Sequence, residues 1–366
     1  MKKNLQLALA IMLGLATTTV TAQDWSVDSE TRMTNMSTDD AEMNNFSEQF
    51  MRMGVSWGDE TVSVNASFNG YADLNNFDGK DAATFGIHEA YASTDVMGFA
   101  TLSGGRMALE FGSGMIIGSN DWNNNGNTWD GLMVDLNNDF ADISFGMARY
   151  DESDNVAGTD YSDNFMLLNA SKDMDAMSFG LTYMSDMMDN GTESGTTAMG
   201  LEGTYSLDMG ANIHFAYYSA TMDDGSAETD MGLTSIGASY EVMDGLTAHA
   251  SYDMYDENGF YLATSNQLGA GNGTGAFIID MEGTQMVFGA DYNMGDFNFG
   301  VTMYQFESEE VNGVTIEQDA MDFGAAYSFN ENASLGLKYS TNTLSMTDMD
   351  DVDMPDMMWM SLNVSF

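Results

Sequence analysis

The sequence has no cysteine, a single proline, three histidines and nine basic residues set against 57 acidic ones. Each shortage excludes something. Without cysteine there is neither a disulfide framework nor a thiolate metal site. One proline beside 38 glycines suits long strands joined by tight turns and poorly suits a helical protein. Long apolar runs are missing too: beyond the run at 5–16, nothing approaches the roughly 18 residues of a spanning helix. If this chain crosses a membrane, strands must do it. The scarcity of cations leaves a surface that repels nucleic acid and anionic lipid and attracts cations. Acidity alone would also fit disorder, but 43% hydrophobic and 11% aromatic residues argue for a folded chain.

At the amino terminus, Lys2 and Lys3 precede the apolar run, which small residues follow as far as Val20-Thr21-Ala22. This predicts a secretory signal peptide over 1–22, cleaved before Gln23; a membrane anchor is the alternative, but the run is too short to span. The mature chain would keep seven basic and all 57 acidic residues, a formal charge of −50.

At the other end the residues alternate strictly. Met358, Met360, Leu362, Val364 and Phe366 share one face, and Ser361, Asn363 and Ser365 the other. That is the period of a strand with an apolar and a polar side. Similar alternation recurs: Val62, Val64, Ala66 and Phe68 against Ser63, Asn65 and Ser67; Met177, Phe179, Leu181 and Tyr183 against Ser178, Gly180 and Thr182; Met321, Phe323, Ala325, Tyr327 and Phe329 against Asp322, Gly324 and Ser328. Short breaks fall at 58–60, 95–98, 138–140, 173–176, 208–210, 242–245, 293–296 and 330–333, which makes eight turns. Between them lie nine longer polar stretches, at 34–48, 75–83, 113–128, 151–163, 187–196, 222–230, 256–283, 307–318 and 343–355. Nine loops alternating with eight turns predict an all-β fold, a transmembrane antiparallel up-and-down β-barrel of about eighteen strands over 23–366, in the outer membrane. The first strand, from Asp24 to Thr31, alternates least well and rests on the even strand count. A terminal Phe366 is similar to the closing strand of bacterial outer-membrane barrels, which implies the barrel-assembly machinery as a partner, with outer-membrane lipid and lipopolysaccharide around the barrel.

The stretch 104–132, GGRMALEFGSGMIIGSNDWNNNGNTWDGL, is densest in distinctive residues. It resembles the alginate-export family of outer-membrane porins at Gly105, Arg106, Gly112, Asp121, Trp122, Gly126, Trp129 and Asp130, with Glu89-Ala90-Tyr91 upstream. The resemblance implies an eighteen-stranded barrel. One position departs: the family's usual Arg after the glycine is Asn127.

Parity places Arg52 opposite Met51 and Met53, and Arg106 opposite Met107 and Leu109, hence both toward the lumen, together with Glu110, Asp135, Glu202 and Asp322. Arg106 then either braces a lumen acid such as Glu110 or narrows the pore. A polyuronate conduit needs a cationic lumen; the excess of inward acids predicts a cation-preferring channel for passive diffusion of small hydrophilic solutes instead. Two other readings stand beside it: alginate-type polysaccharide export, and a structural or surface-interaction barrel whose acidic loops bind divalent cations. Asp121, Asn123 and Asn125 have the spacing of the first half of a Ca2+ loop, although Leu132 stands where the closing Glu belongs. Methionine is abundant, at 35 residues, and serves mainly as lipid-facing bulk; the runs Met187-Met188 and 346–360 are the alternative thioether site for Cu(I). The glycine-rich part of 256–283 suits a surface loop or an inward plug. His88, His214 and His249 are the available imidazole bases, with no Ser or Asp spacing that nominates a partner, so neither an enzyme nor a cofactor is expected.

Overall fold

The computed structural model describes residues 23–38, 41–59, 61–74, 83–120, 122, 126–151, 162–186, 194–224, 226–266, 274, 276, 278–311, 313–347 and 352–366. The expected signal peptide, the Ca2+ ligands Asp121, Asn123 and Asn125, and Met187-Met188 lie outside the described residues.

The strands are β1 (Gln23–Thr38), β2 (Ala41–Gly58), β3 (Val62–Asp73), β4 (Ala83–Val96), β5 (Ala100–Met107), β6 (Trp129–Leu136), β7 (Asp142–Asp151), β8 (Ser162–Met174), β9 (Met177–Asp186), β10 (Ser194–Ser206), β11 (Ala211–Asp224), β12 (Glu228–Met243), β13 (Leu246–Tyr255), β14 (Gly283–Met294), β15 (Phe297–Ser308), β16 (Ile316–Asn330), β17 (Ala333–Met346), β18 (Val352–Asp353) and β19 (Asp356–Ser365). All pair antiparallel with their chain neighbours, except that the two-residue β18 only flanks β17 while β19 pairs with both β17 and β1. The result is a closed ring of eighteen full strands. Closure extends to the last residue: Phe366 and Val27 exchange both backbone hydrogen bonds, at 2.9 and 3.1 Å. The first strand, weakest in the sequence, is paired along both edges.

All eight expected turns join consecutive strands. Two expected loops are corrected. Residues 34–38 and 41–48 continue β1 and β2, and β11 and β12 extend to Asp224 and from Glu228. A strand that runs past the apolar band no longer needs an apolar face, so its alternation fades while its ladder continues.

On most strands the apolar set faces outward, exposed in the isolated chain, as with Met33, Val64, Phe179, Phe215, Ile236, Phe288, Met303, Leu337 and Met360. The interior is not uniformly polar. Met107, Trp129, Met133, Phe165, Leu167, Met184, Tyr218, Leu233, Tyr255 and Phe306 point inward and are buried with Ile116, Ile117, Phe260, Leu262 and Ile279. The last five come from the connections β5–β6 and β13–β14, which therefore fold into the barrel. Methionine serves both faces, outward at Met303 and Met360 and inside at Met133 and Met184.

The Gly-Arg pair of β5 has a steric cause. Gly105 sits at φ +133°, and a Cβ there would lie 2.2 Å from the Ala90 carbonyl oxygen. Gly105→Ala should therefore cost the barrel about 1–3 kcal/mol and lower its unfolding temperature in detergent, measured by heat-dependent gel migration. Gly324→Ala, with nothing within 4 Å of the new carbon, should leave that temperature nearly unchanged; equal effects would contradict the steric account.

Candidate functional site

The lumen is shaped by the connection 108–128. It turns tightly, Phe111 N–H donating to Ile117 O at 3.0 Å and Gly114 N–H to Phe111 O at 3.0 Å. Glycine is required at the turn: Gly112 has φ +58° and a Cβ there would meet the Glu202 carboxylate at 2.7 Å. That carboxylate, on β10, accepts from Ser113 N–H at 3.1 Å, Ser113 Oγ at 2.6 Å and Tyr218 Oη at 2.7 Å. Ile116 and Ile117 are fully buried, and such burial contributes roughly 1.5–3 kcal/mol per side chain.

The second inward connection locks onto the first. Gly118 N–H donates to Thr264 O at 2.9 Å, Thr264 Oγ1 to Ile116 O at 2.6 Å, Asn266 N–H to Gly114 O at 2.8 Å and Asn120 N–H to Asn266 Oδ1 at 2.8 Å. Buried backbone groups thus find partners in each other, as an irregular segment inside a barrel requires. Glu110 accepts from Ser119 Oγ at 2.6 Å and from Asn266 Nδ2 at 3.4 Å. The Ser119 hydroxyl, more than any other contact, holds the Glu110 carboxyl below its usual range. Its contribution to loop order is present above the ordinary carboxylate value and is lost as pH falls through the lowered one.

The tip of the connection reaches the wall at the seam where β19 joins β1 and β17. Trp122 lies with the Arg32 guanidinium 4.1 Å and the Lys338 ammonium 5.3 Å from its ring centroid, and meets Trp359 edge-on at 5.9 Å. Arg32 also donates to the Trp122 carbonyl at 3.1 Å while pairing with Glu30 at 2.7 Å and Glu48 at 3.5 Å. Lys338 faces Asp322 at 3.8 Å, and Asp322 accepts from Thr274 and Ser340 hydroxyls, so it ties the β13–β14 connection to the wall. Arg52, on β2, donates to Asn69 Oδ1 at 2.9 Å. Beside Trp122 and Lys338, a cavity of about 360 Å³ runs over Gly300, Gly324, Ala326 and Gly336, with Asp291 and Asn298 at its edge. Beside Arg52 a second, of about 340 Å³, is lined by Asp24, Asp28, Glu89 and Tyr91. Both cavities lie along this side of the lumen, and the apolar core fills the other.

Arg52, Asp135, Glu202 and Asp322 face inward, Asp135 accepting from Ser144 Oγ. Arg106 is a correction. It shares a face with Gly104, whose Cβ would touch the exposed Leu132 at 3.3 Å, while Met107 turns into the interior core. Arg106 therefore points outward and pairs with Asp130 through two hydrogen bonds of 2.7 Å. It neither narrows the pore nor braces Glu110, which lies beyond the end of β5 on the inward connection. Parity misled because β5 and β6 carry apolar residues on both faces. Asn127, where the family has Arg, is buried and ties Gly118 O at 3.0 Å into the loop. His214 bonds Thr204 and Ser239 at 3.1 and 3.0 Å, His249 faces Asp291 at 3.4 Å, and His88 is the extra residue of a bulge in β4, buried beside Gly126. Sequence reasoning missed Arg32, Trp122 and Lys338 as a group, since three distant segments supply them.

A family model described as alginate export matches residues 18–220, more than half of the chain. The chain belongs to the alginate export family. Its barrel also resembles solved structures along nearly its whole length. Acinetobacter baumannii OccAB2 superposes at TM-score 0.75 with 10% identity, covering 95% of this chain and 98% of that one. Pseudomonas aeruginosa OccK8 (OprE) gives 0.72 and 13%, covering 95% and 98%. The P. aeruginosa outer membrane protein opdK gives 0.71 and 12%, covering 95% and 99%. At such identities the likeness carries the fold. A search of curated proteins finds no match. The motif of this alginate export family member thus builds the inward connection and the strand that leads into it: Gly105 lets β5 lie close against β4, Gly112 allows the connection to approach Glu202, Trp129 is its buried anchor and Trp122 its tip.

Trp122→Ala removes two cation–π contacts, worth about 0.5–2 kcal/mol each, and unpins the tip. Single-channel conductance in planar bilayers should rise and open-channel noise increase. Unchanged conductance and noise would mean that the tip does not border the path.

Proposed function

We propose that this barrel is an outer-membrane channel for passive diffusion of small hydrophilic solutes, with cations favoured. The observation that carries the reading is the charge balance of the lumen. Among the described residues its cations are Arg32, Arg52 and Lys338, all on the wall formed by β17, β19, β1 and β2. Arg32 is matched by Glu30 and Glu48, and Lys338 by Asp322. Glu89, Glu110, Asp135, Glu202, Asp253 and Asp291 face inward as well, so the net field favours a positive solute. In a low-dielectric pore such an imbalance selects by charge more than by size.

Family membership supports a second reading, export of a uronate polymer. The clustering of Arg32, Arg52 and Lys338 on one wall is the observation in its favour, since a polyanion could follow that wall. The carboxylates already matching Arg32 and Lys338 weigh against it. In either case the eight turns face the periplasm and the longer connections face outward, as the short-turn side of such barrels does. Phe366 is the contact for the assembly machinery, and Ca2+ on the acidic loops is kept as part of the structural alternative.

Under a KCl gradient the purified protein should give a reversal potential for cation permeability. Liposome swelling should run faster with amines than with neutral sugars of equal size, and slowest with uronic acids. Fastest swelling with uronic acids would overturn the cation reading in favour of polymer export. Absence of conductance would favour the structural role.

A further inference from the structure

The outward Arg106 is part of a larger arrangement on the membrane face. The register aligns Arg106, Asp130, Arg149 and Asn164 in one row across β5 to β8. Arg106 and Asp130 neutralise each other, with side chains 39% and 47% exposed. Arg149, also exposed, adds a net positive charge to the row. This is unexpected on a chain of formal charge −48.

Below the row, toward the turns, the outer face becomes wholly apolar. Leu132, Met147 and Met166 form the next row, with Val134, Phe145 and Leu168 beyond, around a groove of about 450 Å³. Further down β8, Lys172 faces outward near the turn, donating to the Asp139 carbonyl at 3.2 Å. Asn164 and Lys172 are eight residues apart, about 27 Å along a strand and roughly 20 Å across a membrane at a barrel's tilt, close to the apolar band of such barrels. The Arg106–Arg149 row therefore sits at the loop-end boundary of the hydrocarbon, where lipid headgroups begin.

We infer that this face is a binding site for a phosphorylated acyl lipid of the outer leaflet. One acyl chain lies in the groove and a headgroup phosphate pairs with Arg149. The groove supplies position rather than drive, because acyl chains are already in hydrocarbon. The guanidinium supplies the selection, through the planar fork that matches a phosphate. The overall charge repels anionic lipid, and this row is the local exception that lets one lipid seat. The inference rests on the outer-membrane orientation proposed above and is independent of solute selectivity.

Native mass spectrometry of the detergent-solubilised barrel with diphosphorylated and with dephosphorylated lipid A tests it. The wild type should retain the diphosphorylated lipid at least about tenfold better than Arg149→Gln, with Arg149→Lys between them, and should not retain the dephosphorylated lipid. Asp130→Asn, which releases Arg106 from its carboxylate, should increase retention. Heat-dependent gel migration verifies that each variant is folded. Equal retention by the wild type and Arg149→Gln, or retention regardless of phosphate, would overturn the site. Arg149→Gln should also leave the reversal potential unchanged, because the charge lies outside the pore; a shifted potential would place Arg149 in the lumen and contradict the assignment. A barrel that retains the lipid but does not conduct would refute the channel and leave the site standing.

Discussion

Every backbone N–H and C=O within a bilayer must find its partner inside the protein, and in this chain that demand is met by seating β19 on β1. The exchange between Phe366 and Val27 carries the ladder to the final residue. Once the ring is closed, its side chains are free to serve two solvents. The outward set is apolar because hydrocarbon surrounds it. The inward set answers to whatever occupies the lumen.

Here two connections occupy much of the lumen, and that second demand explains most of the interior. A segment of irregular backbone inside a barrel needs hydrogen-bond partners and apolar cover. The β5–β6 and β13–β14 connections bond to each other, and Trp129, Leu167, Met184 and Tyr218 supply the cover. Glu202 and Asp322 then act as anchors as well as charges, each accepting from a connection residue. A cavity remains on the side floored by Gly300, Gly324 and Gly336, where small residues leave room. Arg32, Trp122 and Lys338 mark its border.

The fold was largely legible in the residues. Alternation such as Met177 to Tyr183, and turns such as 293–296, are local consequences of a two-sided sheet, and they were read at the right places. The ring's interior was less legible. On β6, Trp129 and Met133 face in while Leu132 and Val134 face out, so hydrophobicity alone does not distinguish the sides. That ambiguity sent Arg106 to the wrong face. A usable signal was present in Asp130, which stands opposite Arg106 in register and would have been its partner on either face. The stretch 34–48 looked like a loop because its strands leave the membrane, where a polar sequence still pairs. The cluster at Trp122 joins residues some 90 and more than 200 positions apart, beyond any local pattern.

The lumen is divided into an apolar, loop-filled side and a glycine-floored side that holds the cavity. The absence of native cysteine makes a single introduced thiol a clean probe of it. Gly324→Cys and Met133→Cys can each be exposed to a water-soluble cationic thiol reagent while single-channel current is recorded. The account predicts a stepwise fall in current for Gly324→Cys and no reaction at Met133→Cys in the folded barrel. Rapid block at Met133→Cys with Gly324→Cys unaffected would contradict it.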